Sequence, residues 1–482
     1  MAKKSVAKNY IYDLIYRILQ VLTPLITAPY VSRVIGSGGI GDYSFTQAIC
    51  SYFTLTAVLG SNVYGQREIA FCGEDRTKRS QVFWEIMMIR FATILISGGA
   101  YIIRCQFEEG AIQVLLLLQC VDLFGLVFDV TWLIQGVEEF KVMLYRNLFI
   151  KFFSIAAVFL LIHSKKDLYL YVFLLSMAVV LGNVTLWPRL RQYISKPEWK
   201  NLQFKRHFLP IFSLFLPTVA LRLHDSFDKV MLGHIVHSSD ENGYYEQSRK
   251  IVTMAITIVT SLSNVMLPRM AALFAQNKKE KLKEYLYNSF EVVWVLALPI
   301  SFGLAAVSDN LVPWFFGEGY DKVAVLLKAF APICLAMAIM NVIGLQYLVP
   351  TERQRKYTLS IVIGTAANIL MNAIMIPYFA SLGAVVASVL SETVIIAVQL
   401  FMIHKEIPLA PMFRTIPWKL AASALMWCVV FFLSKRLTSS IFHTAVLTCA
   451  GGAIYLGILL LVRDSSIGKV MDMVKGKLKR KS

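Results

Sequence analysis

The sequence predicts an all-α protein that crosses a membrane many times, on three observations. Of 482 residues, 57% are hydrophobic and 16% charged, with a mean hydropathy of +0.61. Soluble domains carry about 45–50% apolar and about 25% charged residues. The apolar residues form long continuous runs, which fit membrane helices and exclude the alternating pattern of a β-barrel. The Lys and Arg residues, finally, collect in every second connection between those runs. The same numbers exclude a soluble globular protein, a disordered chain and a disulfide-built secreted domain. The seven cysteines are odd in number and scattered, without a Cys-x-x-Cys pair, and read as small apolar packing residues. A net charge of +18 would suggest nucleic acid in a soluble chain; here topology accounts for it, and no nucleic-acid partner is expected.

Fourteen candidate spans follow in order, at about 20 residues per crossing. The first, 10–35, is too long for a signal peptide and lacks a small-residue cleavage site; it contains Pro24 and Pro29. Span 2 covers 42–64 and span 3 covers 83–104, after a connection carrying Arg67, Arg76, Lys78 and Arg79. Span 4 (111–134) holds Asp122 and Asp129, seven apart and so expected on one helix face. Spans 5 and 6 (147–163 and 168–187) lead into WPRLRQYISKPEWKNLQFKRH, a basic and aromatic stretch expected to lie on anionic headgroups. Span 7 (209–235) reads LPTVALRLHDSFDKVMLG and span 8 (244–267) opens GYYEQSRKIV. Span 9 covers 287–307. Residues 308–322, SDNLVPWFFGEGYDK, are expected as the longest outer connection. Spans 10 to 14 cover 323–349, 357–379, 383–403, 416–434 and 441–462, and a basic tail closes the chain. Pro217, Pro332 and Pro377 sit in or near spans and permit kinks that neighbouring helices re-satisfy.

Counting charge by side, 33 Lys and Arg fall in the terminal segments and even-numbered connections, against 6 in the odd-numbered ones. This bias puts both termini in the cytoplasm and calls for an even number of spans. A shift of 202 residues aligns Gly41 with Gly243, Tyr43 with Tyr245 and Ser61-Asn62-Val63 with Ser263-Asn264-Val265. Six spans per repeat make the repeats parallel. The expected organisation is an N-terminal lobe at 1–188, a cytoplasmic linker at 189–208 and a C-terminal lobe at 209–404. Residues 405–482 add two further helices and the tail.

Nine basic residues fall inside spans: Arg17, Arg33, Arg90, Lys151, Arg222, Lys229, Arg249, Lys250 and Lys328. A charge at membrane depth costs at least about 2.5–3.5 kcal/mol, so such residues face a partner or a wet cavity. Arg222 and Lys229 are seven apart on span 7, with Asp225 within a turn of both and Asp228 offset. Glu246 precedes Arg249 and Lys250 by three and four residues, a favourable helix pairing. Arg17, Arg33, Arg222, Lys229, Arg249 and Lys250 are therefore candidates for holding an anion such as phosphate through charge-assisted hydrogen bonds. The alternative is that Asp225, Asp228 and Glu246 neutralise these neighbours, with Lys229, Lys250 and Arg33 snorkelling at span ends. Asp122, Asp129, Asp225, Asp228 and Glu246 are the candidates for coupling to an ion, because a buried carboxyl can exchange protons near neutral pH. For Asp122 and Asp129 the other reading is pairing with Lys151 or an amide such as Asn147, and Glu392 has a similar ambiguity. No phosphate-cradling Gly-x-x-x-x-Gly-Lys and no metal-ligand histidine spacing occurs in the sequence, so neither an ATP site nor a cofactor is expected.

The stretches PYVSRVIGSGGIGDYSFTQAI (29–49), YGQREIA (64–70), DVTWLIQGVEEFK (129–141), YRNLFIK (145–151) and GLQYLVPTERQRKYTLSIVIGTAANILMNAIMIPYF (344–379) carry a resemblance. Over nearly its whole length the chain resembles the bacterial O-antigen-type polysaccharide flippases of the multidrug/oligosaccharidyl-lipid/polysaccharide exporter superfamily. The resemblance implies a V-shaped bundle of two six-helix lobes plus two C-terminal helices in the bacterial cytoplasmic membrane. It implies movement of an undecaprenyl-diphosphate-linked oligosaccharide from the inner to the outer leaflet by alternating access, for surface polysaccharide synthesis. Arg17 looks like the first-span arginine that lipid-flippase relatives place in a central cavity. A proton or sodium gradient would be the drive. The implied partners are the lipid-linked oligosaccharide, membrane lipids, and a polysaccharide polymerase with its glycosyltransferases. The rival readings are a drug or cation antiporter, or a lipid II flippase, of the same fold. A membrane polysaccharide polymerase is the rival from the enzyme class.

Overall fold

The structure, a computed structural model, describes residues 6–197, 199 and 202–464, without the side chains of 6–18, 20, 21, 214, 216–218, 220–225, 258, 261, 262, 264 and 265. Its helices, in order, are α1 (Val6–Val58), α2 (Ser61–Cys72), α3 (Arg76–Cys105), α4 (Gly110–Gly125), α5 (Thr131–Gly136) and α6 (Phe140–Leu161). They continue as α7 (Leu168–Val184), α8 (Trp187–Tyr193), α9 (Lys205–Val236), α10 (Ser239–Ala275), α11 (Lys279–Phe316) and α12 (Asp321–Ile343). The last are α13 (Gln354–Phe379), α14 (Ser381–Ile403), α15 (Ala410–Phe413), α16 (Ile416–Ser434) and α17 (Ile441–Leu461). No strand occurs among the described residues. Among the described residues, ten helical segments, from α3 onward, are long and apolar enough to cross a membrane. The lengths of α1, α9 and α10, at 53, 32 and 37 residues, suit crossings as well.

Several expectations change at the level of the element. The break in α1 is not at Pro24 or Pro29, which sit in helical backbone, but at Gly36, with φ 82° and ψ 171°. That conformation is essentially restricted to glycine, so Gly36 divides the first two spans. A second break at Leu59 and Gly60 (φ 48° and 80°) separates α1 from α2. The 202-residue echo places Ser261 and Leu262 at the same positions, yet α10 runs unbroken from Ser239 to Ala275. Span 4 also divides. Its helix ends at Gly125, a 3-10 turn follows at Leu126–Phe128, and Asp129 is extended at φ −77°, ψ 102°. Asp122 and Asp129 therefore do not share a helix face. The expected outer connection at 308–322 is mostly helix, because α11 continues to Phe316. Phe315 and Phe316 are buried, Phe316 stacks on Tyr320 at 5.5 Å, and Trp314 Nε1 donates to Thr444 Oγ1 at 2.7 Å. Only residues 317–320 remain between α11 and α12.

The chain divides into two compact units, Met1–Val230 and Met231–Ser482. The division lies within α9, not in the 189–208 linker, and the reason is visible in the linker's bonds. Arg79 Nε donates to Tyr193 O at 2.9 Å, Trp84 Nε1 donates to Ser195 O at 2.9 Å, and Arg76 Nη2 donates to Ile194 O at 3.1 Å. Glu85, fully buried, accepts from Gln203 N at 2.6 Å, from Arg206 and from His207 Nε2. The linker, expected to rest on headgroups, is thus fastened to the start of α3. Phe83 stacks on Trp132 at 5.3 Å, in a cluster with Ile86 and Leu190.

Lipid supplies no hydrophobic drive between helices, so packing does the work and small residues set the close approaches. A Cβ at Gly182 would lie 2.2 Å from Ile150, which is how α7 comes down on α6. In the second unit α12 packs on α11 and α14 on α13, and α16 and α17 close on α11. Ala306 and Val307 of α11 share a cluster with Ala422, Met426 and Tyr455. The C-terminal helix pair is therefore built into the second unit rather than appended to it. Lys419, with no exposed side-chain surface, is 3.2 Å from Asp464.

Candidate functional site

In the first unit the best-defined charged group is one that spacing did not reveal. Arg90 on α3 is buried; its Nη2 is 2.8 Å from Asp129 Oδ2 and its Nη1 donates to Asn62 Oδ1 at 2.6 Å. Asp129 Oδ1 accepts from Thr131 N at 3.0 Å and Thr131 Oγ1 at 2.6 Å. The partner of Asp129 is thus Arg90, from another helix, and not Lys151 or Asn147. Asp122 stands apart on α4 and accepts from Ser176 Oγ of α7 at 2.9 Å. Asp228 is buried on α9, in the stretch where Ser226 accepts from Ser51 Oγ at 3.5 Å and Phe227 packs on Tyr52 at 6.4 Å. Lys229 beside it is half-buried, and Arg33 is exposed three residues before the Gly36 break. The side chains of Arg17, Arg222 and Asp225 lie outside the described residues.

In the second unit Lys250 Nζ lies 3.6 Å from Glu246 Oε1, the i, i+4 pairing expected. Arg249, one residue earlier, turns away and donates to Tyr245 Oη at 3.4 Å. Tyr245 Oη lies 3.2 Å from Ser388 Oγ on α14. Glu392, one turn further along α14, is buried. The same unit also holds buried polar side chains that the sequence reading missed. Gln346, in a π turn at Gly344–Leu348, donates to Ser263 Oγ at 2.9 Å. Gln399 donates to Ser360 Oγ at 3.1 Å, and Asn372 Nδ2 donates to Asn368 Oδ1 at 3.1 Å. The available signal was Asn368 and Asn372 four apart in an apolar helix, since polar groups at membrane depth are costly and face partners.

These charges and carboxamides on long apolar helices define a multi-pass membrane protein with ionic groups inside its helix bundles. A family profile described as "Polysaccharide biosynthesis protein" matches residues 6–274, and the chain belongs to that family. It is similar to the "Putative O-antigen transporter" of Escherichia coli K12, 20% identical over 410 residues, which cover 84% of this chain and 98% of that one. It is also similar to the "Probable low-salt glycan biosynthesis flippase Agl15" of Haloferax volcanii, 21% identical over 66% of this chain and 67% of that one. Among solved structures, the lipid II flippase MurJ in an inward closed conformation matches with a TM-score of 0.74 at 16% identity. That match covers 95% of this chain and 99% of the flippase. An inward-facing multidrug resistance transporter of the MATE family matches at 0.65 and 14% identity, over 84% and 99%. The helical fold shared with these structures agrees with the superfamily that the resemblance named, and the chain is a transporter rather than an enzyme.

Proposed function

We propose that this chain is a flippase for a lipid-linked oligosaccharide, carrying an undecaprenyl-diphosphate-linked repeat unit from the inner to the outer leaflet of the cytoplasmic membrane. The observation that carries the reading is the set of basic side chains within apolar helices, in a chain whose relatives are O-antigen transporters and flippases. A diphosphate needs donors with a fixed positive charge. Arg17 and Arg222 are assigned the central role, with Lys229, Arg249, Lys250 and Arg33 completing the set. The sugar would occupy the wet interior while the polyprenyl tail stays in lipid. This spares the hydrated headgroup the several kcal/mol that each unsatisfied polar group costs in hydrocarbon.

Alternating access moves the cargo because substrate and coupled ion bind two conformations with different affinity. A proton or sodium gradient is the proposed drive, with Asp122, Asp129, Asp225, Asp228 and Glu246 as the carboxylates through which it would act. Both termini are assigned to the cytoplasm, the side on which glycosyltransferase partners would meet the cargo before transport, with a polymerase partner taking it up at the outer leaflet.

The test is a leaflet-accessibility assay on purified protein in proteoliposomes, with a defined polyprenyl-diphosphate sugar. Wild-type protein should move the headgroup across, and Arg17→Ala and Arg222→Ala should abolish movement while still inserting. Movement at the wild-type rate in both variants would remove the anion site from the proposal.

A further inference from the structure

Of the nine basic residues within spans, six are assigned above to the diphosphate and two are paired, Arg90 with Asp129 at 2.8 Å and Lys328 with Asp309 at 2.6 Å. The ninth is Lys151 on α6. The acids that sequence spacing offered it are engaged elsewhere: Asp129 meets Arg90, and Asp122 accepts from Ser176 Oγ at 2.9 Å. Among the described residues the Lys151 ammonium makes no ion pair and no hydrogen bond.

Its depth is fixed by the helix. Hydropathy put the span at 147–163, but α6 runs from Phe140 to Leu161, which moves Lys151 from near an edge to the middle. The 22 residues of α6 measure about 33 Å, close to the hydrocarbon core of about 30 Å. Lys151 is the twelfth of them, about 15 Å or more from either end, too far for its ammonium to snorkel to a headgroup.

Its direction is fixed by its neighbours. Tyr145, Phe149, Phe152 and Leu160 are exposed and make one apolar stripe along α6. At 3.6 residues per turn Lys151 falls on the opposite face, with the buried Leu144, Asn147 and Val158. α6 packs on α1 and α7, yet Lys151 is only half-buried, so the inward face keeps an opening at this residue. α1 and α6 run side by side in the same direction: Tyr30 packs on Phe159 at 4.6 Å, and Gly36 lies against Lys165, six residues on along the chain in both cases. Eight residues back from the first contact, Lys151 comes level with position 22 of α1. That is about 7.5 Å along the axis from the position of Arg17.

An ammonium at mid-membrane, turned away from lipid and unpaired, needs an anion from outside the protein. It offers a point charge with three donors, which suits a phosphate oxygen. We infer that Lys151 is a further contact for the diphosphate of the transported lipid, at the depth where the headgroup crosses the middle of the membrane. This inference rests on the flippase function proposed above.

The experiment uses the purified full chain with two probes, a polyprenyl-diphosphate sugar and a polyprenyl glycoside that lacks phosphate. Retention is read by native mass spectrometry and movement by leaflet accessibility in proteoliposomes. Lys151→Met should weaken retention of the diphosphate lipid by roughly fivefold or more and raise the concentration for half-maximal movement in step, leaving the glycoside unaffected. Lys151→Arg, which keeps the charge, should restore most of the loss. Lys151→Met should also unfold no lower than wild type, because an unpaired charge at this depth adds nothing to the fold. A smaller loss in Lys151→Met, an equal loss in Lys151→Arg, or a lowered unfolding temperature in Lys151→Met overturns the inference while wild-type protein still moves the diphosphate lipid. Wild-type protein that neither retains nor moves that lipid overturns the flippase reading, and this contact with it.

Discussion

Single residues show where spacing in a sequence carries information and where it does not. Glu246 and Lys250 pair as their four-residue separation requires, at 3.6 Å. Arg90 and Asp129 are 39 residues apart, and their pairing at 2.8 Å depends on how α3 meets the turn after α4. Nothing local announces it; the sequence offered only the cost of a charge inside a span. The pair nonetheless makes the sharper prediction. Removing one partner of a buried ion pair leaves the other charge uncompensated, at about 3–5 kcal/mol. Asp129→Asn should therefore lower the thermal unfolding temperature of the purified protein markedly. Replacing both residues, as Arg90→Leu with Asp129→Leu, should recover a good part of the loss, because the uncompensated charge is gone. If Asp129→Asn unfolds at the wild-type temperature yet transports less in response to a proton gradient, its role is coupling and not structure.

At the scale of the element, hydropathy located the spans, while their ends and breaks were set by backbone details it does not report. Two prolines drew attention to α1, but the helix divides at Gly36. Gly36→Ala would place an L side chain at φ 82°, ψ 171°, a region costing on the order of 1–3 kcal/mol for residues other than glycine. The expected outcome is a lower unfolding temperature with no change in the amount inserted; an unchanged temperature would mean the break can move to a neighbouring residue. A second element-scale prediction concerns the connection after α14, outside the spans. Glu406 lies 3.0 Å from Tyr347 Oη and 3.4 Å from Lys356 Nζ, and also pairs with Arg353. Burial alone would raise its carboxyl pKa, but the hydrogen bond from Tyr347 and the charges of Arg353 and Lys356 outweigh that and hold it below its ordinary value of 4.5. A carboxyl lowered on folding adds stability that is complete above the unfolded value and is lost as pH falls through the folded one. Unfolding temperatures measured from pH 6 to pH 3.5 should drop less steeply for Glu406→Gln than for the wild type. Parallel curves would show that this cluster contributes nothing to acid sensitivity.

For the whole molecule, the class of fold was legible because membrane helices satisfy their own backbone and so leave a compositional mark that survives without any knowledge of contacts. The division into units was less legible. A basic linker looks like a boundary by composition, yet Arg76, Arg79 and Glu85 bind it to α3 and carry the boundary into α9. The last two helices looked separate because the internal echo stops before them, yet Ala422 and Tyr455 pack with Ala306 of α11. Orientation is a property of the molecule in its membrane, and the charge bias of 33 to 6 commits every connection at once. On that bias Lys78 and Lys278 are expected on the cytoplasmic side, and Lys166 and Lys435 on the outside, and all four are exposed. Because Cys449 is exposed and Cys120 and Cys428 are partly so, the measurement needs a background in which all seven cysteines are replaced. In intact cells an impermeant maleimide should label Lys166→Cys and Lys435→Cys directly, and should reach Lys78→Cys and Lys278→Cys only after lysis. One position on the wrong side would signal a miscounted span between it and its neighbours; all four reversed would invert the direction of transport and turn the basic connections outward, against the force that sorts them.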